Sequence, residues 1–274
     1  MFTVLSIEKR KYKGILGRIL RKLPINSLEK TKVEVEDISF LRLRYVSRNG
    51  RVNQKKISKI LRKVGGEVVY SGDELMTVKP FVPIELRGRL CSNMALEVLS
   101  IMEEVPRGMR IGIYDPHGDF TDLSELLLRF TDNLVVVTKN HTAYREEASR
   151  LISETGAVLR ISRNVYSFEK CHLIVAPEVI REKFMPDPRA VVLTCAEPKV
   201  SLCCRVYYKY SFRLPKALDR LRDEDTDTEA FGGALYSLCR VYSIGSLVPF
   251  LCVNRFDSQT TLSLRKYFEE QFTT

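Results

Sequence analysis

The chain has 274 residues, 45% of them hydrophobic and 28% charged, enough for one large or two modest domains with a real core in each. That balance excludes a disordered polypeptide, and no apolar run approaches the roughly 20 residues that a membrane-crossing helix needs. The formal net charge of +10 is unevenly placed: residues 1–90 hold 21 Lys and Arg against 9 Asp and Glu, whereas residues 91–274 hold 23 against 25. The basic excess therefore belongs to the first third, which argues for two regions with different jobs.

The longest apolar stretch, Leu247–Val253, is short and carries Pro249. The opening residues Met1–Ile7 are apolar but lack the basic leader and small-residue cleavage site of a signal peptide, so a cytoplasmic protein with no membrane contact is expected. Seven cysteines, an odd number scattered through apolar segments, fit free buried thiols in a reducing compartment. None has metal spacing, and Cys203 and Cys204 are adjacent, too close for an ordinary chelating pair.

In chain order, a strand over Thr3–Ile7 leads into a short helix over Ile15–Leu23, which Pro24 ends. A strand over Ile38–Tyr45 alternates Phe40 and Arg42 against Leu41 and Leu43, so its apolar side is not cleanly one-faced. Asn49-Gly50 makes a turn. The helix Gln54–Lys63 buries Ile57, Ile60 and Leu61 and shows Lys55, Lys56, Lys59, Arg62 and Lys63 on its other side. Gly65-Gly66 closes it, and Glu67–Ser71 is the next strand. Such a basic face can meet nucleic acid or a phosphorylated ligand, although a solvated lysine face has the same pattern and no nucleic-acid-binding signature accompanies it.

Pro80 and Pro83 mark a junction, after which Ile84–Glu104 reads as a linking helix with Met94, Val98, Ile101 and Met102 as its apolar stripe. Then comes the stretch around which the chain is organised. Arg110–Tyr114, Asn133–Thr138, Val158–Ser162, His172–Ala176 and Ala190–Thr194 read as short strands, and Asn133–Thr138 is an uninterrupted apolar run of the kind buried in a parallel sheet. A helix capped by Asp122 and Glu125 follows the first strand, and a helix with Tyr144, Ala148, Leu151 and Ile152 inward, closed by Gly156, follows the second. Further on, Tyr207–Phe212 is one more strand and Pro215–Leu221 a helix. The acidic run Asp223–Asp227 caps a helix over Thr228–Tyr242, in which Gly232-Gly233 implies close backbone packing. Leu262–Phe272 is a last amphipathic helix.

From Ile111 to Pro198 the chain resembles the nicotinamide-dinucleotide domain of Rossmann dehydrogenases, of the shikimate dehydrogenase and glutamyl-tRNA reductase kind. The matching features are a basic loop opening the helix after the second strand, the Glu154–Ala157 turn into the third strand, and Leu173–Pro177 at the fourth. The resemblance implies an α/β fold: a Rossmann-like parallel sheet with helices on both faces, beside a smaller basic α+β amino-terminal region. The expected division is a basic region over 1–83, a linking helix over 84–105 and a Rossmann-like domain over 106–274 with carboxy-terminal helices.

In that family the loop after the first strand is G-x-G-x-x-G, whose glycines let the backbone approach a pyrophosphate. Here it is Asp115-Pro-His-Gly-Asp-Phe-Thr121, with Gly118 alone remaining. Asp115 and Asp119 repel a pyrophosphate and Pro116 removes an N–H donor, which argues against hydride-transfer catalysis. The second strand ends Thr138-Lys139-Asn140-His141 without an acid for a ribose diol, so NADP is favoured over NAD if a dinucleotide binds, with Lys139 and Arg145 toward a 2′-phosphate. The same two cations also read as plain solvent-facing residues at the start of a helix.

The residues expected around a ligand at this end of the sheet are Asp115, Gly118, Asp119, Thr138, Lys139, Arg145 and Ala176, with no metal assigned. His117, between two carboxylates in a strand-end loop, is the candidate general acid or base. The strand followed by Asp115-x-x-Gly118-Asp119 is also similar to the first motif of haloacid dehalogenase-like phosphatases, in which the strand-end Asp is the nucleophile; His117 stands where that family has a second Asp. Cys195, at the end of the fifth strand, is a reactive-thiol position or a core thiol. The leading expectation is a protein binding a nucleotide-type or small phosphorylated ligand. The alternative is a non-catalytic interaction protein whose basic region binds nucleic acid or an acidic partner.

Overall fold

A computed structural model describes residues 2–9, 26–47, 52–70 and 78–272. The helix expected at Ile15–Leu23 and the Asn49-Gly50 turn lie outside the described residues. The chain forms two compact units: residues 1–83 with 214–244, and residues 84–213 with 245–274. The helix expected as a linker thus counts with the second unit, and the segment carrying the acidic run counts with the first. None of the described helices is long and apolar enough to cross a membrane.

The first unit holds a four-stranded sheet of β1 (Phe2–Lys9), β2 (Asn26–Val35), β3 (Ile38–Ser47) and β4 (Val68–Tyr70), in the order β2-β3-β1-β4. Strand β1 runs parallel to both β3 and β4, and β2 pairs antiparallel with β3. Helix α1 (Gln54–Val64) packs Ile57 and Leu61 onto Leu5, Leu41, Leu43 and Tyr45. Phe2 and Phe40, stacked with ring centroids 5.1 Å apart, meet Phe231. The mixed pattern of β3 is thereby explained, because both of its faces are covered. Arg42 lies against the segment 214–244, its Nη2 donating to the Leu221 carbonyl at 2.8 Å and its Nε 2.9 Å from Asp223.

Helix α5 (Lys216–Asp219) is short, and α6 (Thr228–Leu238) is capped by Asp227, which accepts from the Ala230 N–H at 2.8 Å. Helix α6 stops at Leu238, four residues before the expected end, since Arg240 takes a left-handed φ of 59°. Its Gly233 touches Pro83 so closely that an added Cβ would sit 2.1 Å from the proline Cβ. Gly233→Ala is therefore expected to destabilise by about 1–3 kcal/mol through overpacking. The helix propensity gained, about 1 kcal/mol, does not offset that. Urea unfolding of the variant tests this, and a neutral or stabilised variant contradicts the contact.

The second unit is built on a six-stranded parallel sheet flanked by helices. Its strands are β5 (Ile111–Tyr114), β6 (Leu134–Val137), β7 (Arg160–Ser162), β8 (Leu173–Ala176), β9 (Val191–Thr194) and β10 (Arg205–Tyr207). Every neighbouring pair is parallel, in the order β10-β9-β8-β5-β6-β7. Counted within the sheet this is 3-2-1-4-5-6, the order of doubly wound dinucleotide-binding folds. Helix α2 (Ile84–Ser100) packs on β8 and β9 and α3 (Asp122–Leu128) on β6, while α4 (His141–Thr155) joins β6 to β7.

The opposite side of the sheet is covered differently. A 3-10 turn, Val165–Phe168, and loop residues Ile180 and Phe184 pack on Tyr114, Val137, Ile174 and Val192. The connection over 177–190 carries no helix and has Pro177, Pro186 and Pro188 within it, which interrupt helical hydrogen bonding. Gly112 in β5 lies under Phe168, whose ring carbons would be 2.6 and 2.7 Å from an added Cβ.

The single strand expected over Tyr207–Phe212 is two short strands in different sheets. After β10, Tyr208 turns to donate its N–H to the Val253 carbonyl at 3.2 Å. β11 (Lys209–Ser211) then joins β12 (Leu251–Val253) and β13 (Ser258–Thr260) in a small antiparallel sheet. Helix α7 (Thr261–Phe272) closes the unit against α2.

Candidate functional site

In a doubly wound sheet the crevice for a ligand opens beyond the carboxyl ends of the strands where the winding reverses. Here that point lies between β5 and β8, and the loops leaving them are Asp115–Thr121 and Pro177–Ile180. The first loop is held rigidly. Gly118 sits at a left-handed φ of 79°, and an added Cβ would lie 3.1–3.3 Å from Asn140 and Ala143. Asn140 donates its side-chain N–H to the His117 carbonyl at 2.8 Å while its Oδ1 caps α4 by accepting from the Ala143 N–H at 3.3 Å. The Lys139 N–H reaches the Pro116 carbonyl at 3.1 Å.

Asp115 is fully buried directly after β5. Its Oδ1 accepts from the Gly118 and Asp119 N–H groups at 2.9 and 3.1 Å, and its Oδ2 from the Phe120 N–H at 2.9 Å and the Tyr144 hydroxyl at 2.7 Å. Burial, reinforced by the neighbouring Asp115 charge, pushes the Tyr144 hydroxyl well above its ordinary range, so it stays a donor. Three consecutive loop N–H groups therefore converge on a carboxylate supplied by the chain itself. A bound anion would otherwise take that place. The expectation that Asp115 lines the ligand is corrected accordingly: it fills the loop from beneath. Buried with both oxygens occupied, it also cannot attack a phosphoryl group, which removes the dehalogenase-like reading.

His117 and Asp119 point the other way and are exposed. The loop after β8 brings Glu178 to them. Its Oε1 accepts from the His117 N–H at 3.0 Å, and its Oε2 contacts His117 Nδ1. Ligand atoms of His117, Asp119 and Glu178 all lie within 4.8 Å of one another. Burial raises the Glu178 carboxyl above the usual range, the His117 hydrogen bonds oppose this, and the Asp115 carboxylate adds to it. Sequence reading missed Glu178, which stands 61 residues from His117. The one available signal was an acid two residues past the strand that neighbours β5.

The other expected residues spread around the crevice. Thr138 is buried, its Oγ1 accepting from the Asn140 N–H at 3.0 Å. Lys139 is exposed and pairs with Glu182 at 3.3 Å, and Arg145 is exposed on α4. Ala176 is buried at the end of β8, its carbonyl accepting from the Cys195 N–H at 3.2 Å. Cys195 is a core thiol, pushed up to about 12 by burial and therefore unreactive.

His172 is structural. Its Nδ1 accepts from the Arg110 N–H at 3.0 Å and its ring lies 4.7 Å from that of Phe272. Burial lowers its pKa below the ordinary histidine value of 6.5. As pH falls the unfolded chain takes up the proton first, so the contribution is complete above about pH 6.5 and is lost below it. Urea midpoints at neutral and mildly acidic pH should fall further for the wild type than for His172→Asn, and equal falls would contradict this role.

No family model matches the chain, and no curated protein matches it. Among solved structures, the L-tryptophan dehydrogenase of Nostoc punctiforme is similar at 10% identity over 99% of this chain and 88% of that one, with a TM-score of 0.27. At that score the architecture rests on the sheet itself.

Proposed function

We propose that the second unit binds a small phosphorylated ligand of nucleotide type in the crevice between the β5 and β8 loops. The observation that carries this reading is the 3-2-1-4-5-6 strand order, with its reversal at the loops that hold His117, Asp119 and Glu178. Because Asp115 occupies the loop N–H groups, a pyrophosphate does not seat on them. Phosphate is instead met at the margin by Arg145 and Lys139, the position of a 2′-phosphate in an NADP-like ligand. Hydride transfer is not part of the proposal.

Thermal unfolding with NADPH, NADP, NAD and ATP, each with and without Mg²⁺, tests it. Ligand at about a hundred times its dissociation constant adds roughly 2.7 kcal/mol, and the melting temperature rises accordingly. The rise should shrink in Lys139→Ala/Arg145→Ala. No shift with any of the four sinks the reading.

A second reading is favoured by the face of α1. Lys55, Lys56, Lys59, Arg62 and Lys63 are exposed, and none is ion-paired among the described residues. An open surface pocket of about 610 Å³ is lined by Lys55, Lys59, Arg62 and Lys63. Under this reading the first unit binds nucleic-acid phosphates. Association should then weaken steeply with salt, and a Lys55→Glu/Lys59→Glu variant should flatten the slope. Salt-independent association, or none, would retire it.

A further inference from the structure

We infer that His117, Asp119 and Glu178 form a binding site for a divalent transition-metal cation, such as Zn²⁺ or Mn²⁺. This rests on the proposed crevice as the ligand site, though not on the identity of the ligand. The three side chains come from two loops that meet only through the fold, at the strand ends where the sheet reverses. Each offers one ligand atom, and the atoms lie within 4.8 Å of one another. In a tetrahedral site with bonds of about 2.0–2.2 Å they would be roughly 3.3 Å apart, so an entering ion parts the His117 Nδ1–Glu178 Oε2 contact and needs only a small inward shift of the atoms now farthest apart. Asp119 is exposed and free to move toward the ion, while His117 and Glu178 already hold each other through the His117 N–H and Nδ1.

One imidazole with two carboxylates suits Zn²⁺, Mn²⁺ or Fe²⁺. Magnesium and calcium prefer all-oxygen shells. The two carboxylates balance the charge of a divalent ion, and three protein ligands leave a coordination position open. This also resolves an electrostatic conflict in the crevice. Asp119 and Glu178 face the place an anionic ligand must enter, with Asp115 buried behind them. A cation held between them becomes the largest local charge and turns a repulsive rim into an attractive one. The open position is then where a phosphate oxygen attaches.

The test uses the full chain, stripped with a chelator, near neutral pH. Zn²⁺ is titrated against a chromophoric competitor, and Mn²⁺ binding is followed by its electron paramagnetic resonance. One site per chain is expected. His117→Ala, Asp119→Asn and Glu178→Gln should each weaken it at least about tenfold, whereas Glu197→Gln should not. Cys203→Ser/Cys204→Ser excludes zinc capture by the adjacent thiols. Circular dichroism establishes that each variant is folded, and Asp119→Asn, an exposed change, keeps the test valid if Glu178→Gln unfolds.

No binding at about 100 μM of either metal overturns the site. So does binding unchanged in the three variants, or binding lost in the cysteine variant. The two proposals fail separately: metal bound without any nucleotide-dependent rise in melting temperature removes the phosphorylated ligand alone. A nucleotide-dependent rise in a protein that binds neither metal removes the cation alone.

Discussion

Replacing Asp115 by alanine is expected to cost about 3–5 kcal/mol, because three backbone N–H groups and one tyrosine hydroxyl lose their acceptor at once. Asp115→Asn should cost less, since one oxygen still accepts while the amide opposes a donor with a donor. The alanine variant also has a property that a merely damaged protein lacks. With the carboxylate gone, the N–H groups of Gly118, Asp119 and Phe120 surround a space suited to an external anion. Added phosphate or sulfate should therefore raise the melting temperature of Asp115→Ala more than that of the wild type. Equal rises in both would show that the loop is not an anion seat already filled by its own residue.

Phe168→Ala is expected to cost about 3–5 kcal/mol, in the range of large core truncations. The ring is fully buried, lies 5.5 Å from that of Phe184 and 6.4 Å from that of Tyr114, and fills the space left by Gly112. It stands on the face of the sheet that lacks long helices, where a single 3-10 turn supplies much of the packing. Few neighbours are placed to collapse into the cavity. Gly112→Ala tests the same contact from the strand side and should cost about 1–3 kcal/mol by overpacking. Denaturant unfolding of both variants checks the pair, and a cost below about 1 kcal/mol for Phe168→Ala would contradict this packing.

The parallel strands were legible because strands buried on both faces are written as unbroken apolar runs, Leu134–Val137 and Leu173–Ala176 among them. The carboxy-terminal end of α4 was legible for a local reason: Gly156 takes the left-handed conformation that closes a helix. The capping box expected at α3 was wrong, since its first residue follows Thr121 with no side-chain cap. Glu125 is drawn instead to Arg150 at 2.7 Å and Arg129 at 3.3 Å, the former on a helix that a local rule does not see. Strands β12 and β13 have three residues each, too few for any periodicity to register.

The site divides along the same line. That the candidate site lies after β5 followed from strand alternation. That Glu178 completes it did not, because no spacing rule joins residues of two different loops. Asp115 shows a subtler limit. Its charge is hostile to a phosphate, as its sequence position implies, but the same carboxylate proves to be the acceptor on which the loop is built.

The measurement that tests the central claim most directly is backbone hydrogen exchange of the full chain, with and without whichever phosphorylated ligand raises its melting temperature. Protection confined to residues 115–120 and 177–182, with α4 around Arg145, is the expected result. Protection confined to α1, or none in either loop, would contradict a ligand site at the reversal of the sheet.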